Sequence, residues 1–329
     1  MKAVVIPRFG GPEVLELREV PTPTPGRGEI RVRVHATAVN RADLLQRAGA
    51  YPAPPDAPKD IPGLEFAGEV DAVGEGVTEM EPGHRVMGLC GGGAYAEAVV
   101  VPARAAVHVP ARLSFTDAAA VPEAFITAWD ALIDQARLRA GETVLIPAVG
   151  SGVGLAGLQL ALAIGARAIG TARTADKLDR ARAFGLAEGD DVVVTNGVFA
   201  PDVLRINAGR GVDVVLELVG GDYVVTDLAV VGPRGRIVLV GMMAGTRTQV
   251  DLGAMLMKRA RIYGTTLRGR SVEEKAAATD AFTRDVVPLL ASGAVRPVIA
   301  RTMPLDDAPA AYDLLASDAV FGGIVLDLS

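Results

Sequence analysis

The spacing of apolar residues changes character near Thr116. Before it, Glu29 to Ala36 (EIRVRVHA) sets Ile30, Val32 and Val34 against Arg31, Arg33 and His35. This period of two predicts a strand with one buried and one wet face. The preceding PTPTPGRGE (Pro21 to Glu29) is rich in proline and glycine and predicts a loop. Glu65 to Val77 and His84 to Val101 read as further strands with glycine turns, and Asn40 to Ala48 (NRADLLQRA) as a short helix. Tyr51 to Pro58 is a proline-rich loop. Short strands at such intervals predict a barrel-like β domain.

Beyond Thr116 short apolar strands alternate with helices. Thr116 to Arg139 reads as mostly helical, and Gly152 to Gly165 as a buried helix. Ala175 to Phe184, Pro201 to Ala208 and Asp222 to Val231 are the next helices. Between them lie candidate strands Thr143 to Ile146, Arg167 to Thr171, Asp191 to Thr195, Val212 to Leu218, Arg236 to Val240 and Arg261 to Thr265. That alternation predicts an α/β fold with a doubly wound parallel sheet. From Thr266 the chain returns to mixed helix and strand, ending in Gly323 to Leu328 (GIVLDL), which is expected to rejoin the first domain. The predicted organisation is therefore a β-barrel domain over 1–120, rejoined by 266–329, and a dinucleotide-binding domain over 121–265.

Length agrees, since 329 residues suggest two domains at about 100–200 residues each. A hydrophobic share of 50% with 22% charged residues supplies sizeable cores and excludes a disordered tail. The net charge of -6 argues against nucleic acid as the primary partner. The stretch Gly152 to Ala166 is too short to cross a bilayer, and MKAVVIPRFGG has too short an apolar run for a signal peptide. The one cysteine, Cys90, can form neither an internal disulfide nor a four-thiolate zinc site, which fits a reducing, cytoplasmic setting. Lone cysteines are more often inert than nucleophilic.

Ala148 to Gly154 (AVGSGVG) stands between a predicted strand and a predicted helix. Glycines there permit a tight turn and close backbone approach, and the helix start favours a pyrophosphate. The loop departs from the GxGxxG spacing, because Leu155 stands three positions after Gly152. A plain strand–helix turn is the competing explanation; the ordered strands and helices around it favour a dinucleotide. NAD sites carry an acid about 20 residues beyond the glycines. Here Gly170 to Thr174 (GTART) has no carboxylate but holds Arg173, and Lys177 follows a turn later. Two cations suit the 2′-phosphate of NADPH; the bland alternative is a pair of solvated bases at a helix start.

Ile61 to Val70 (IPGLEFAGEV) resembles a segment of the medium-chain dehydrogenases/reductases. Asn40 to Gly49 (NRADLLQRAG) with Tyr51 and Pro52 is similar to their zinc-free quinone oxidoreductase branch. Pro122 to Trp129 (PEAFITAW) and Ser151 to Gly154 resemble the stress-inducible NADPH:quinone oxidoreductase subgroup in particular. The likeness covers essentially the whole chain. It implies a GroES-like catalytic domain plus a Rossmann domain with the active cleft between them, NADPH as hydride donor, and a homodimer or tetramer. Family cofactor contacts map onto Thr127, Gly152, Val153, Gly154, Lys177, the turn Gly241-Met242-Met243, and Leu267 in the segment Thr265 to Arg268. Two departures weaken the phosphate pocket: Gly322-Gly323-Ile324-Val325 replaces a family GKIV pattern, and no Asn-Tyr pair stands in 190–199.

Where zinc-dependent relatives carry cysteine, histidine and cysteine, this chain carries Asn40, Leu64 and Glu123. Asparagine and leucine are not normal zinc ligands, and His35, His84 and His108 lack metal-like spacing, so no metal is expected. Charge developing on a quinone oxygen must then meet hydrogen-bond donors or water, and by resemblance Asn40 and Tyr51 are placed to supply them. Tyr51 offers an aromatic face to a flat ring, or it packs the proline-rich loop; Asn40 takes that role, or it caps the helix it begins. The resemblance implies an NADPH-dependent, zinc-independent quinone oxidoreductase. The alternatives are an NADPH-dependent reductase of activated alkenes such as enones or acrylates, and, on weaker grounds, a crystallin-like or RNA-binding protein.

Overall fold

The computed structural model describes residues 1–329. By its contacts the chain divides into two units, Met1–Ile126 with Leu267–Ser329, and Thr127–Thr266. In the first unit β1 (Lys2–Val5) pairs antiparallel with β2 (Glu16–Glu19). The alternating stretch forms β3 (Glu29–Val39), whose Ile30, Val32 and Val34 enter one core with Phe66, Val70 and Val86. Helix α1 (Arg41–Arg47) follows, then β4 (Glu65–Val73), β5 (Arg85–Leu89), β6 (Ala98–Pro102), β7 (Ala106–His108) and α2 (Phe115–Ala119). β4 stops before the expected Val77 because the chain turns at Gly74, whose N–H donates to Glu29 O at 2.8 Å. The stretch 84–101, expected as strand with glycine turns, holds two strands parted by a glycine run in which Gly93 has φ +96°. Only glycine holds that conformation without strain.

The second unit opens on α3 (Thr127–Trp129) and a π-helical stretch, Asp130–Gln135. Strands β8 (Thr143–Ile146), β9 (Arg167–Ala172), β10 (Asp191–Val193), β11 (Val212–Glu217), β12 (Val231–Leu239) and β13 (Arg261–Gly264) form one parallel sheet. Between them run α4 (Gly152–Ala163), α5 (Ala175–Ala181), α6 (Ala200–Ile206), α7 (Tyr223–Val230) and α8 (Leu252–Lys258). The strand order β10-β9-β8-β11-β12-β13 is that of a doubly wound dinucleotide fold, with its switch point between β8 and β11. β12 starts at Val231, ahead of the predicted Arg236, because its pairing with β11 is shifted across Val212/Val214. Helix α8 escapes prediction because Leu252, Leu256 and Met257 all point to solvent and erase the buried–wet rhythm.

The tail returns to the first unit as α9 (Val272–Asp285), α10 (Val287–Ser292), β14 (Ile299–Pro304), α11 (Ala308–Ala316) and β15 (Gly323–Asp327). β15 pairs antiparallel with β3 and parallel with β14. The resulting sheet runs β14-β15-β3-β4-β5-β7, with β6 also on β3. Gly322 has φ +93°, and a Cβ there would meet the Val298 carbonyl.

Candidate active and cofactor site

In the first unit Asn40 occupies the N-cap position of α1 with extended backbone. Its side-chain Nδ2 donates to Glu65 Oε1 at 2.7 Å, and Asn40 and Asp43 form a capping box at the start of α1. The Asn40 backbone N–H donates to Asp43 Oδ2 at 2.8 Å, which anchors the turn. Asp43 also receives Tyr95 Oη at 3.2 Å and Gly63 N–H at 3.3 Å. Glu65 stands at the head of β4 with 2% exposure. Its second oxygen receives the backbone N–H of Glu123 at 2.8 Å, from the π-helical turn Pro122–Ile126. Such turns recur at functional sites because they displace one residue from the helical ladder.

Asp43, Glu65 and Glu123 thus form a cluster of carboxyls. Burial pushes Glu65 up to about 8, with repulsion from Glu123 adding to it. Burial pushes Glu123 up to about 7 and Asp43 up to about 6. Arg268 opposes both of those rises. Its guanidinium is itself buried and donates to Gln46 Oε1 at 2.6 Å, Gly91 O at 2.9 Å and Tyr51 O at 3.0 Å. It also lies 5.1 Å from the Tyr51 ring centroid. Tyr51 is half-buried, held by its carbonyl and its ring on Arg268. Leu267, the residue before Arg268, is buried. The Cys90 thiol donates to Gly63 O at 3.3 Å, and burial pushes it up to about 12, so it is a poor nucleophile. His35 stacks on Phe115 at 4.4 Å, and His84 meets His108 edge-on.

In the second unit the glycine loop, Arg173 and the Gly241-Met242-Met243 turn follow the carboxyl ends of β8, β9 and β12, where this fold binds ligands. The loop 148–154 leaves β8 and enters α4, with Ser151 Oγ accepting the Gly154 N–H at 3.1 Å. The Gly152 and Val153 N–H groups, in the first turn, have no acceptor within the helix. A Cβ at Gly154 would lie 2.7 Å from Ala148 O and 2.8 Å from Val149 O, so only glycine lets the loop fold back. Arg173 follows directly on β9 and is exposed; Lys177 lies in α5. Gly241, Met242 and Met243 follow β12, both methionines exposed. Thr127 is buried at the start of α3, and nearby Thr265 Oγ1 donates to Asp130 at 2.6 Å.

In the sequence Glu65 is one residue of a matched segment. Its signal was a carboxylate between Leu64 and Phe66, a charge with apolar neighbours on both sides. In the sequence Glu123 stands out only at a replaced zinc-ligand position, and Arg268 only as a neighbour of Leu267.

Residues 26–111 match the family described as alcohol dehydrogenase GroES-like domain, and residues 152–283 match the one described as zinc-binding dehydrogenase. A quinone oxidoreductase of Pseudomonas aeruginosa is 36% identical over 326 residues, spanning 99% of both chains. Among solved structures, an NAD-dependent alcohol dehydrogenase superposes with TM-score 0.88 at 33% identity, covering 100% of both chains. A mycobacterial protein complexed with NADPH superposes with TM-score 0.90 at 28% identity, covering 99% of this chain and 100% of that one. The zinc in one family description does not fit the residues here. Leu64 is apolar, the Asn40 amide is engaged by Glu65, and no group of three or more His, Cys, Asp or Glu side chains could hold a metal ion.

Proposed function

This chain belongs to the medium-chain dehydrogenase/reductase superfamily as a quinone-type oxidoreductase, and from that premise we propose an NADPH-dependent, zinc-independent hydride transfer to quinones. The observation that carries the cofactor choice is the end of β9. Arg173 stands there with Lys177 beyond it, where an NAD site would present an acid. The glycine loop and the start of α4 would receive the pyrophosphate through the N–H groups of Gly152 and Val153. Gly154 lets the backbone come close, and Gly241-Met242-Met243 and Thr127 complete the cofactor contacts of the second unit. Bound NADPH supplies a hydride.

Asn40 and Tyr51 are the residues we assign to the acceptor. The Asn40 amide is oriented by Glu65 and keeps one N–H to direct at a ligand. Tyr51 presents a ring fixed by Arg268 and a hydroxyl able to donate to a carbonyl oxygen gaining charge. These donors do the work that a metal does in zinc-dependent relatives.

The same reading takes the first unit as catalytic and the second as NADPH-binding, acting in the cytoplasm as a homodimer or tetramer. No helix is long and apolar enough to cross a membrane. Assembly is supported by the sheet edge at β13 and by exposed Leu252, Leu256 and Met257 on α8, an apolar face suited to a second copy. The decisive assay is oxidation of NADPH by the purified protein against a quinone panel and an enone panel. Turnover of quinones supports the proposal. Turnover confined to enones identifies an alkene reductase, and preference for NADH removes the assignment to Arg173 and Lys177.

A further inference from the structure

Glu217 closes β11 and Asp227 lies in α7; both have 0% exposure. Glu217 Oε1 is well supplied: the N–H of Val219 donates to it, and that of Gly220 does so at 2.6 Å. Glu217 Oε2 and both Asp227 oxygens have no donor. Two buried carboxylates facing each other without a cation would be prohibitively costly. The remaining source of a hydrogen bond is a proton held between them. Burial raises both groups, and each carboxyl acts on the other.

What Glu217 holds is the turn 218–221. That turn is stitched to the turn after β12: Ala244 N–H donates to Val219 O at 2.8 Å, and Gly221 N–H to Gly245 O at 3.1 Å. The Glu217 carbonyl itself receives the N–H groups of Val240 and Gly241. A Cβ on Gly220 would lie 2.7 Å from Met242 Cα, so the two turns pack backbone to backbone. We infer that the shared-proton pair Glu217–Asp227 is a positioning device that clamps the Gly241-Met242-Met243 turn, so that cofactor affinity falls when the proton is lost. This rests on the proposed cofactor role of that turn. Loss of the proton to solvent leaves two negative charges in one dry site, and the strain falls on the Val219 and Gly220 hydrogen bonds. The other ionisable groups around the pair do not neutralise it. Tyr223 is itself raised by burial and by Glu217, Arg173 acts on Tyr223, Asp222 receives Thr248 Oγ1, and Lys258 is spent on the carbonyls of Leu228, Ala229 and Val231.

Asp227→Asn replaces the shared proton with a permanent amide donor. Two measurements over pH 6 to 10 test the pair: NADPH affinity by calorimetry, and amide-exchange protection of Val219, Gly220 and Ala244 without ligand, corrected for intrinsic exchange. In the unsubstituted protein, affinity and protection should both fall by up to about tenfold per pH unit once the proton is lost; in Asp227→Asn both should stay flat. Affinity and protection independent of pH, or an unchanged pH dependence in Asp227→Asn, overturns the inference. NADPH binding that is pH-independent leaves the proposed function standing and removes only the clamp. Lost protection without any NADPH binding at any pH removes the proposed cofactor site, and with it the turn's role.

Discussion

Glu65 offers a quantitative test of the buried carboxyl cluster. Its carboxyl rises from the ordinary 4.5 to about 8, through burial first and Glu123 second. At about 1.4 kcal/mol per pKa unit, keeping it ionised in the fold costs roughly 5 kcal/mol, a large part of the about 5–15 kcal/mol that holds a domain together. The folded state binds this proton more tightly than the unfolded chain does. The stabilisation is therefore complete below 4.5 and is lost as pH rises through about 8. Glu123 and Asp43, raised to about 7 and about 6, act in the same direction at lower pH. The three are coupled, so their contributions do not simply add. In Glu65→Gln the amide oxygen accepts the Glu123 N–H, and the amide nitrogen meets Asn40 once that side chain turns its oxygen inward. Thermal unfolding followed by circular dichroism at pH 5, 7 and 9 should show the parent losing stability with pH and the variant losing much less. At pH 9 the variant should melt higher by on the order of 10 °C, at about 2–4 °C per kcal/mol for a unit of this size. Glu69→Gln, a half-buried neighbour on the same strand paired with Arg33, is the control and should run parallel to the parent. Parallel profiles for Glu65→Gln and the parent would refute the reasoning.

Arg173→Ala should weaken NADPH about tenfold, or about 1.4 kcal/mol, and leave NADH unchanged, as read by fluorescence titration with each nucleotide. Equal losses for both nucleotides would mean that Arg173 does not meet a 2′-phosphate. Tyr51→Phe keeps the ring beneath Arg268 and removes the hydroxyl. A drop in kcat of about tenfold or more at an unchanged melting temperature would identify a donor, whereas unaltered turnover would leave Tyr51 as packing for the loop. Sedimentation should give at least twice the mass of one chain, and Leu256→Glu should lower it; a monomeric parent would remove the assembly from the proposal.

Much of the architecture was legible because it is written in local spacing. The alternation of Ile30, Val32 and Val34 marks β3, and the run from Thr143 through Gly165 marks strand, glycine loop and helix. The phosphate-type loop was visible for the same reason, since turn chemistry involves consecutive residues. Helix α8 was not, because its apolar residues face outward where no core rewards a period. The candidate acceptor site was legible only in pieces. Asn40 and Tyr51 stood out by resemblance, yet whether Asn40 caps its helix or reaches inward is a choice between partners that sequence does not rank.

By itself, then, the sequence determined the family, the order of the elements and the residue types at the ends of β8 and β9. Only the tertiary structure decided that Asn40 and Glu123 meet on Glu65, across separations of 25 and 58 residues. It also decided that Glu217 and Asp227 are shut in together inside the sheet domain, with Glu217 Oε2 and both Asp227 oxygens lacking a donor. Periodicity reports which face of an element is dry. It carries no information on which distant polar group will be shut in beside another, and that enclosure, by removing water, is what sets their charge.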